Sequence, residues 1–136
     1  MSSKIVLIID DDEDDRFLLR KAIEKKIEGI AIVEANGGHQ ALKYLEASTT
    51  RIDTVDLLIV DMNMPEMDGL EALDRIRSLL NPIHIPVVMF STSSDPVLVQ
   101  KAYSAGINSY IKKPFSFEEY ENIVNALYTC FLTTNS

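Results

Sequence analysis

Cysteine occurs once in the 136 residues, at Cys130, so no intramolecular disulfide can form and nothing in the chain calls for an oxidising compartment. Tryptophan is absent, and glycine and proline number five each, which excludes fibrous and low-complexity classes. Basic residues are the minority charge. The 13 Lys and Arg face 21 Asp and Glu, for a formal net charge of −8. That balance argues against nucleic acid or an anionic membrane as a partner and is compatible with cation binding. Long apolar runs are missing too. The first stops at Ile9, too short for a signal-peptide core, and none reaches the length of a membrane span. The expected location is therefore the cytoplasm.

What is present reads as one globular domain over residues 1–136, with 46% hydrophobic and 25% charged residues and no separate output domain. Short β-branched runs recur at 5–9 (IVLII), 30–33 (IAIV), 55–60 (VDLLIV), 86–90 (PVVMF) and 107–111 (INSYI). Between them lie segments with helical apolar spacing. Leu19, Ala22, Ile23 and Ile27 mark the first helix, Ala41, Leu42 and Leu45 the second, and Leu70, Leu73, Ile76 and Leu80 the third. Asp95-Pro96 announces the fourth as an N-cap followed by proline, with a stop near Gly106. Ser116 and Glu119 have capping-box spacing at the start of the fifth, and Tyr120, Ile123, Val124, Leu127 and Phe131 give it an apolar face. The last residues after Phe131 read as a frayed end. Five strand–helix units in succession predict an α/β fold: a doubly wound parallel sheet covered on both faces.

In such sheets ligands gather outside the carboxyl ends of the strands. The first strand runs into Asp10-Asp11-Asp12, the third into Asp61, the fourth into Ser91-Thr92, and the fifth into Lys112-Lys113-Pro114. Three carboxylates on neighbouring strands would repel one another and raise each other's pKa. An oxygen-liking divalent cation relieves that cost. Mg²⁺ suits such a rim because it takes one or two carboxylates and leaves room for phosphate oxygens. A lysine and a hydroxyl opposite them would hold an anion. The set suits a phosphoryl group carried on Asp61. His39 and His84 lie away from this rim and read as surface residues. Met62, Met64 and Met67 read as cover for the loop after the third strand. Cys130 reads as a small filler or an interface residue of the fifth helix. Asp12, Glu13, Asp14 and Asp15 read as caps and dipole partners of the first helix.

The blocks "LIIDDDEDD", "LLIVDMNMPEMDG", "PVVMFSTSS" and "NSYIKKPF" resemble the signature blocks of response-regulator receiver domains of two-component signalling, over roughly residues 4 to 130. The resemblance implies a (βα)5 flavodoxin-like fold with strand order 2-1-3-4-5. It implies a phosphoacceptor at Asp61 and Mg²⁺ held by Asp10, Asp11, Asp61 and the Asn63 backbone carbonyl. It further implies a phosphoryl-binding and switch set of Ser91, Tyr110 and Lys113, and a cis Lys113–Pro114 peptide. The implied donor is a histidine kinase or phosphotransfer protein. The implied output is protein–protein contact through the face of the fourth helix, fifth strand and fifth helix, with a homodimer through that face as a further expectation. No catalysis beyond the domain's own phosphorylation and dephosphorylation is implied. "STSSD" and "NSY" resemble the stand-alone, phytochrome-associated receivers, although those often carry a glutamate where Asp10 stands. A Mg²⁺-dependent phosphatase with a nucleophilic aspartate is the enzyme rival. It needs a general acid two residues after the nucleophile, where this chain has Asn63. A receiver-like interaction module that no longer takes phosphate is the second rival, and it typically loses one of the carboxylates or the lysine that this chain retains.

Overall fold

The computed structural model describes residues 4–47, 55–80 and 85–133. Strands β1 (Lys4–Ile9), β2 (Ile30–Ala35), β3 (Val55–Asp61), β4 (Val87–Ser91) and β5 (Ser109–Lys112) alternate with helices α1 (Glu13–Lys26), α2 (Gly38–Ala47), α3 (Gly69–Leu80), α4 (Pro96–Ser104) and α5 (Phe117–Leu127). All strand pairs are parallel, in the order β2-β1-β3-β4-β5. The parallel sheet is what the alternation of elements predicts, and its order is the one that the resemblance to receiver domains implies. Among the described residues no helix is long and apolar enough to cross a membrane.

The aliphatic runs form strands because each strand has two buried faces to fill. Leu7, Ile9, Leu58, Val60 and Met89 enter one core, under α2, α3 and α4. Their alternates Val6, Ile8, Leu57, Ile59, Val88 and Phe90 enter the other, with Leu19, Ile23, Tyr120 and Val124 of α1 and α5. Period-two alternation thus disappears from the sequence although it governs the packing.

Helix starts follow their caps. Asp12 accepts from the N–H groups of Asp14 and Asp15, and Asp95 from that of Val97. Ser116 Oγ accepts from Glu119 N at 3.2 Å, while the Glu119 carboxylate reaches back to Phe115 N, one residue before the cap. Past α4 the chain turns through Gly106 at φ +94°, a conformation that glycine adopts without a Cβ clash.

Several boundaries differ from the sequence expectation. β4 and β5 each begin later, so Ser91 and Lys112 are the last strand residues rather than loop residues. Glu34 and Ala35 extend β2 by pairing with Ile8 and Ile9. After Leu127 the chain loosens into a π-helical turn, Tyr128–Leu132. That turn overturns one expectation and narrows another. Leu132, expected to be frayed, is buried in the α1/α5 core, and Cys130, expected as a filler or an interface residue, is exposed, which removes the filler reading. His39 is exposed on α2 as expected, and His84 lies outside the described residues.

Candidate functional site

Parallel strands end together, so the polar residues after β1, β3, β4 and β5 meet at one edge. Asp10 follows β1 and is 6% exposed; Asp61 ends β3 and is 4% exposed; Ser91 ends β4 and is fully buried. Asp11 is exposed beside them. Ligand oxygens of Asp10, Asp11 and Asp61 all lie within 4.8 Å of one another. Lys113, just past β5, points into the group. Its Nζ stands 2.9 Å from Asp10, 3.5 Å from Asp61 and 2.7 Å from Asp15.

Backbone contacts fix these carboxylates. Asp10 N bonds to Ala35 O at 3.1 Å, and Asp10 Oδ1 accepts from Asp12 N at 2.9 Å. Arg16 donates to the Asp10 carbonyl at 2.6 Å while pairing with Glu34 at the end of β2. Asp61 Oδ1 accepts from Asn63 N at 3.2 Å. Behind β3, α3 begins against the backbone of Asp61 itself. A Cβ on Gly69 would lie 2.5 Å from the Asp61 carbonyl oxygen, so only glycine fits. Met62, Met64 and Met67 are buried in this loop, as their expected covering role requires.

The electrostatics are strained. Burial first, then the charge of Asp10, pushes the Asp61 carboxyl from 3.8 up to about 7, against the pull of Lys113 and the Asn63 N–H. Burial also raises Asp10, which the Asp12 N–H and Lys113 partly counter. For Lys113 burial works downward, but its hydrogen bonds to Asp15 and Asp10 outweigh it and hold the ammonium well above its ordinary value. One cation therefore serves three carboxylates at once. The donor set is all oxygen, close-set and short of positive charge, which fits a hard divalent cation.

A hydroxyl path leaves the rim on its other side. Ser91 Oγ accepts from Asn63 Nδ2 at 3.2 Å and from Ser93 N at 3.1 Å, so its own proton remains to be given to an anion. Tyr110 donates its hydroxyl to Ser93 O at 2.8 Å, and its backbone N–H donates to Tyr103 Oη at 3.0 Å. The loop after β4 is thus tied to β5 by Tyr110, the residue for which the resemblance implies a switch role.

Asp10, Asp11, Asp61, Asn63, Ser91 and Lys113 come together at one rim, and Tyr110 stands behind it, linked to Ser91 through Ser93 by two hydrogen bonds. Lys112 is exposed and leaves the site. Asp15 departs from its sequence reading. It is a partner of Lys113 as well as a first-turn acid of α1. Arg16 was not singled out in the sequence. Its signal would have been a cation one helical turn past the N-cap, able to fold back over the strand end.

The fold and this rim define a class: doubly wound α/β domains with a buried aspartate framed by acids, a lysine and a hydroxyl. The model of the response regulator receiver domain matches residues 6–125, and the chain belongs to that family. Among curated relatives, a two-component response regulator of Arabidopsis thaliana (ARR17) is 30% identical over 132 residues, covering 92% of this chain and 85% of that one. The chemotaxis protein CheY1 of Helicobacter pylori is 34% identical over 111 residues, covering 82% and 86%. Among solved structures, the phosphorylated cyanobacterial phytochrome response regulator RcpA superposes with a TM-score of 0.84 at 27% identity, covering 99% of this chain and 98% of that one. The chain is similar to phytochrome-associated receivers, as "STSSD" and "NSY" led us to expect.

Proposed function

We propose that this receiver accepts a phosphoryl group on Asp61 from a histidine kinase or phosphotransfer protein, in a Mg²⁺-dependent reaction. The observation that carries the reading is a buried Asp61 carboxylate with Lys113 Nζ at 3.5 Å and the acids Asp10 and Asp11 beside it. An Asp61 oxygen would attack the phosphorus of a phosphohistidine, forming an O–P bond as the P–N bond breaks and its electron pair returns to the imidazole. Asp10, Asp11, Asp61 and the Asn63 carbonyl would hold Mg²⁺, which when bound neutralises acid charge and engages phosphate oxygens. Lys113 supplies a point charge to the transferred group. The unspent Ser91 proton supplies a hydrogen bond to it. A cis Lys113–Pro114 peptide belongs to the same reading.

The phosphorylated side chain carries a charge of about −2, roughly one unit more than the Asp61 carboxylate it replaces. Ser91 and Lys113 turn toward it. Because Ser91, Ser93 and Tyr110 are linked by hydrogen bonds, the shift reaches the α4–β5–α5 face, where Val97 and Tyr103 already expose apolar surface. A downstream protein, or a second copy of the chain, reads that face by binding one of its two states better.

Intact mass after treatment with acetyl phosphate and Mg²⁺ tests the proposal. Wild type gains one phosphoryl group. Asp61→Asn gains none, and Asp11→Ala loses the Mg²⁺-dependent gain. An unmodified wild type would leave an interaction module that does not take phosphate.

A further inference from the structure

Asp15 occupies a helix-capping position and does no capping. It is three residues past the N-cap Asp12, where a capping-box carboxylate reaches back to the backbone N–H of the cap. That N–H is already spent on Asp10 Oδ1, at 2.9 Å. The Asp15 carboxylate turns across the end of the sheet instead. It accepts from Lys113 Nζ at 2.7 Å, a bond between residues 98 apart and the shortest of the three that the lysine makes to carboxylates.

These three carboxylates are not equivalent. Asp10 and Asp61 belong to the group of oxygens close enough to share a cation, and Asp15 does not. When a cation and a phosphoryl group occupy the rim, the oxygens of Asp10 and Asp61 are engaged with them. Asp15 is the one partner among the three left to the ammonium, and it comes from the first turn of α1, whose N-cap is fixed. A lysine has a flexible four-carbon stem and three donors. With one donor fixed by Asp15, another is held facing the acceptor.

We propose that Asp15 is a positioning residue for phosphoryl transfer: from the α1 side it fixes Lys113 so that the ammonium is aimed at Asp61. The proposal rests on Asp61 being the acceptor. It makes α1 part of the transfer machinery and assigns one residue of the acidic run a duty beyond the helix dipole.

The test compares Asp15→Ala and Asp15→Asn with wild type, following phosphorylation against acetyl phosphate concentration at saturating Mg²⁺. Asp14→Ala is the control, since it removes a charge from the same exposed turn. A misplaced lysine should lower the maximal rate of Asp15→Ala about tenfold, with Mg²⁺ affinity held within about twofold. Asp15→Asn keeps an oxygen that accepts from the lysine and should recover most of that loss. A second readout needs no phosphate. The Lys113 Nζ resonance of ¹⁵N-lysine protein should exchange slowly in wild type and in Asp15→Asn, and vanish in Asp15→Ala. Wild-type rates in Asp15→Ala would overturn the proposal, and so would an Asn variant that behaves as the Ala variant does. A wild type that takes no phosphoryl group overturns the acceptor reading and this proposal with it. Loss of the Asp15 effect on a chain that is phosphorylated overturns this proposal alone.

Discussion

Asp61→Asn measures what the site costs the fold, with no phosphate involved. Burial and the neighbouring Asp10 hold the Asp61 carboxyl at about 7, against 3.8 for a free group. Between those values the folded chain keeps a proton that the unfolded chain has released. The folded state therefore binds more protons, and stability falls as pH rises through that window. From pH 5 to about 7 the fall is two units at about 1.4 kcal/mol each, or roughly 3 kcal/mol. Asp10 is raised by the same burial and shares the repulsion, so about 1–3 kcal/mol is the working figure. Lys113, raised above its ordinary value, stays charged throughout and contributes no slope. The amide carries no charge at either pH. In EDTA, urea unfolding followed by circular dichroism should find the stability of the variant relative to wild type greater at pH 8 than at pH 5 by about 1–3 kcal/mol. The same difference at both pH values would refute the argument, because the cost would then lie in packing and not in charge.

Two further perturbations probe the frame around Asp61. Gly69→Ala places a Cβ 2.5 Å from the Asp61 carbonyl oxygen and 2.9 Å from Met62 Cα, both backbone atoms that cannot swing aside. It should destabilise by about 2–4 kcal/mol in urea titration and slow phosphorylation as well, and a neutral result would mean that the loop relaxes freely. Tyr110→Phe removes the hydroxyl that donates to Ser93 O at 2.8 Å. A cost of about 1 kcal/mol, with faster amide exchange from Ser93 to Asp95, is expected; unchanged exchange there would break the proposed link between β5 and the loop after β4.

Most of the fold could be read from the chain because its local signals agree with one another. Buried parallel strands must be aliphatic on both faces, so IVLII and VDLLIV announce themselves. Asp12, Asp95 and Ser116 then cap the helices that the apolar spacing requires. The errors fall where tertiary contact decides. Nothing local says that Leu132 reaches the core, because its burial depends on a π-helical turn that rotates it inward and turns Cys130 out. Strand ends shift because pairing, not propensity, sets them: Ser91 remains in β4 by pairing with Lys112.

The site was readable to the extent that topology alone delivers residues to it. Asp10, Asp61, Ser91 and Lys113 lie at or just beyond strand ends, and parallel strands bring those ends together whatever the side chains do. Asp15 is a different case. In sequence its acidity is fully accounted for by the dipole of α1, and the same account serves Glu13 and Asp14 equally well. Its separation from them needs two facts that no local pattern holds. Asp12 N must be occupied by Asp10, and Lys113 must arrive from 98 residues away. Asp10 itself supplies the link, since one of its carboxylate oxygens takes the cap's N–H while the other faces Lys113 at 2.9 Å. The residue that begins the acidic rim thereby frees Asp15 to complete it. The run "DDDEDD" then divides by geometry: Asp10 and Asp11 toward the site, Asp12 to the helix, Asp15 back to the site one turn later.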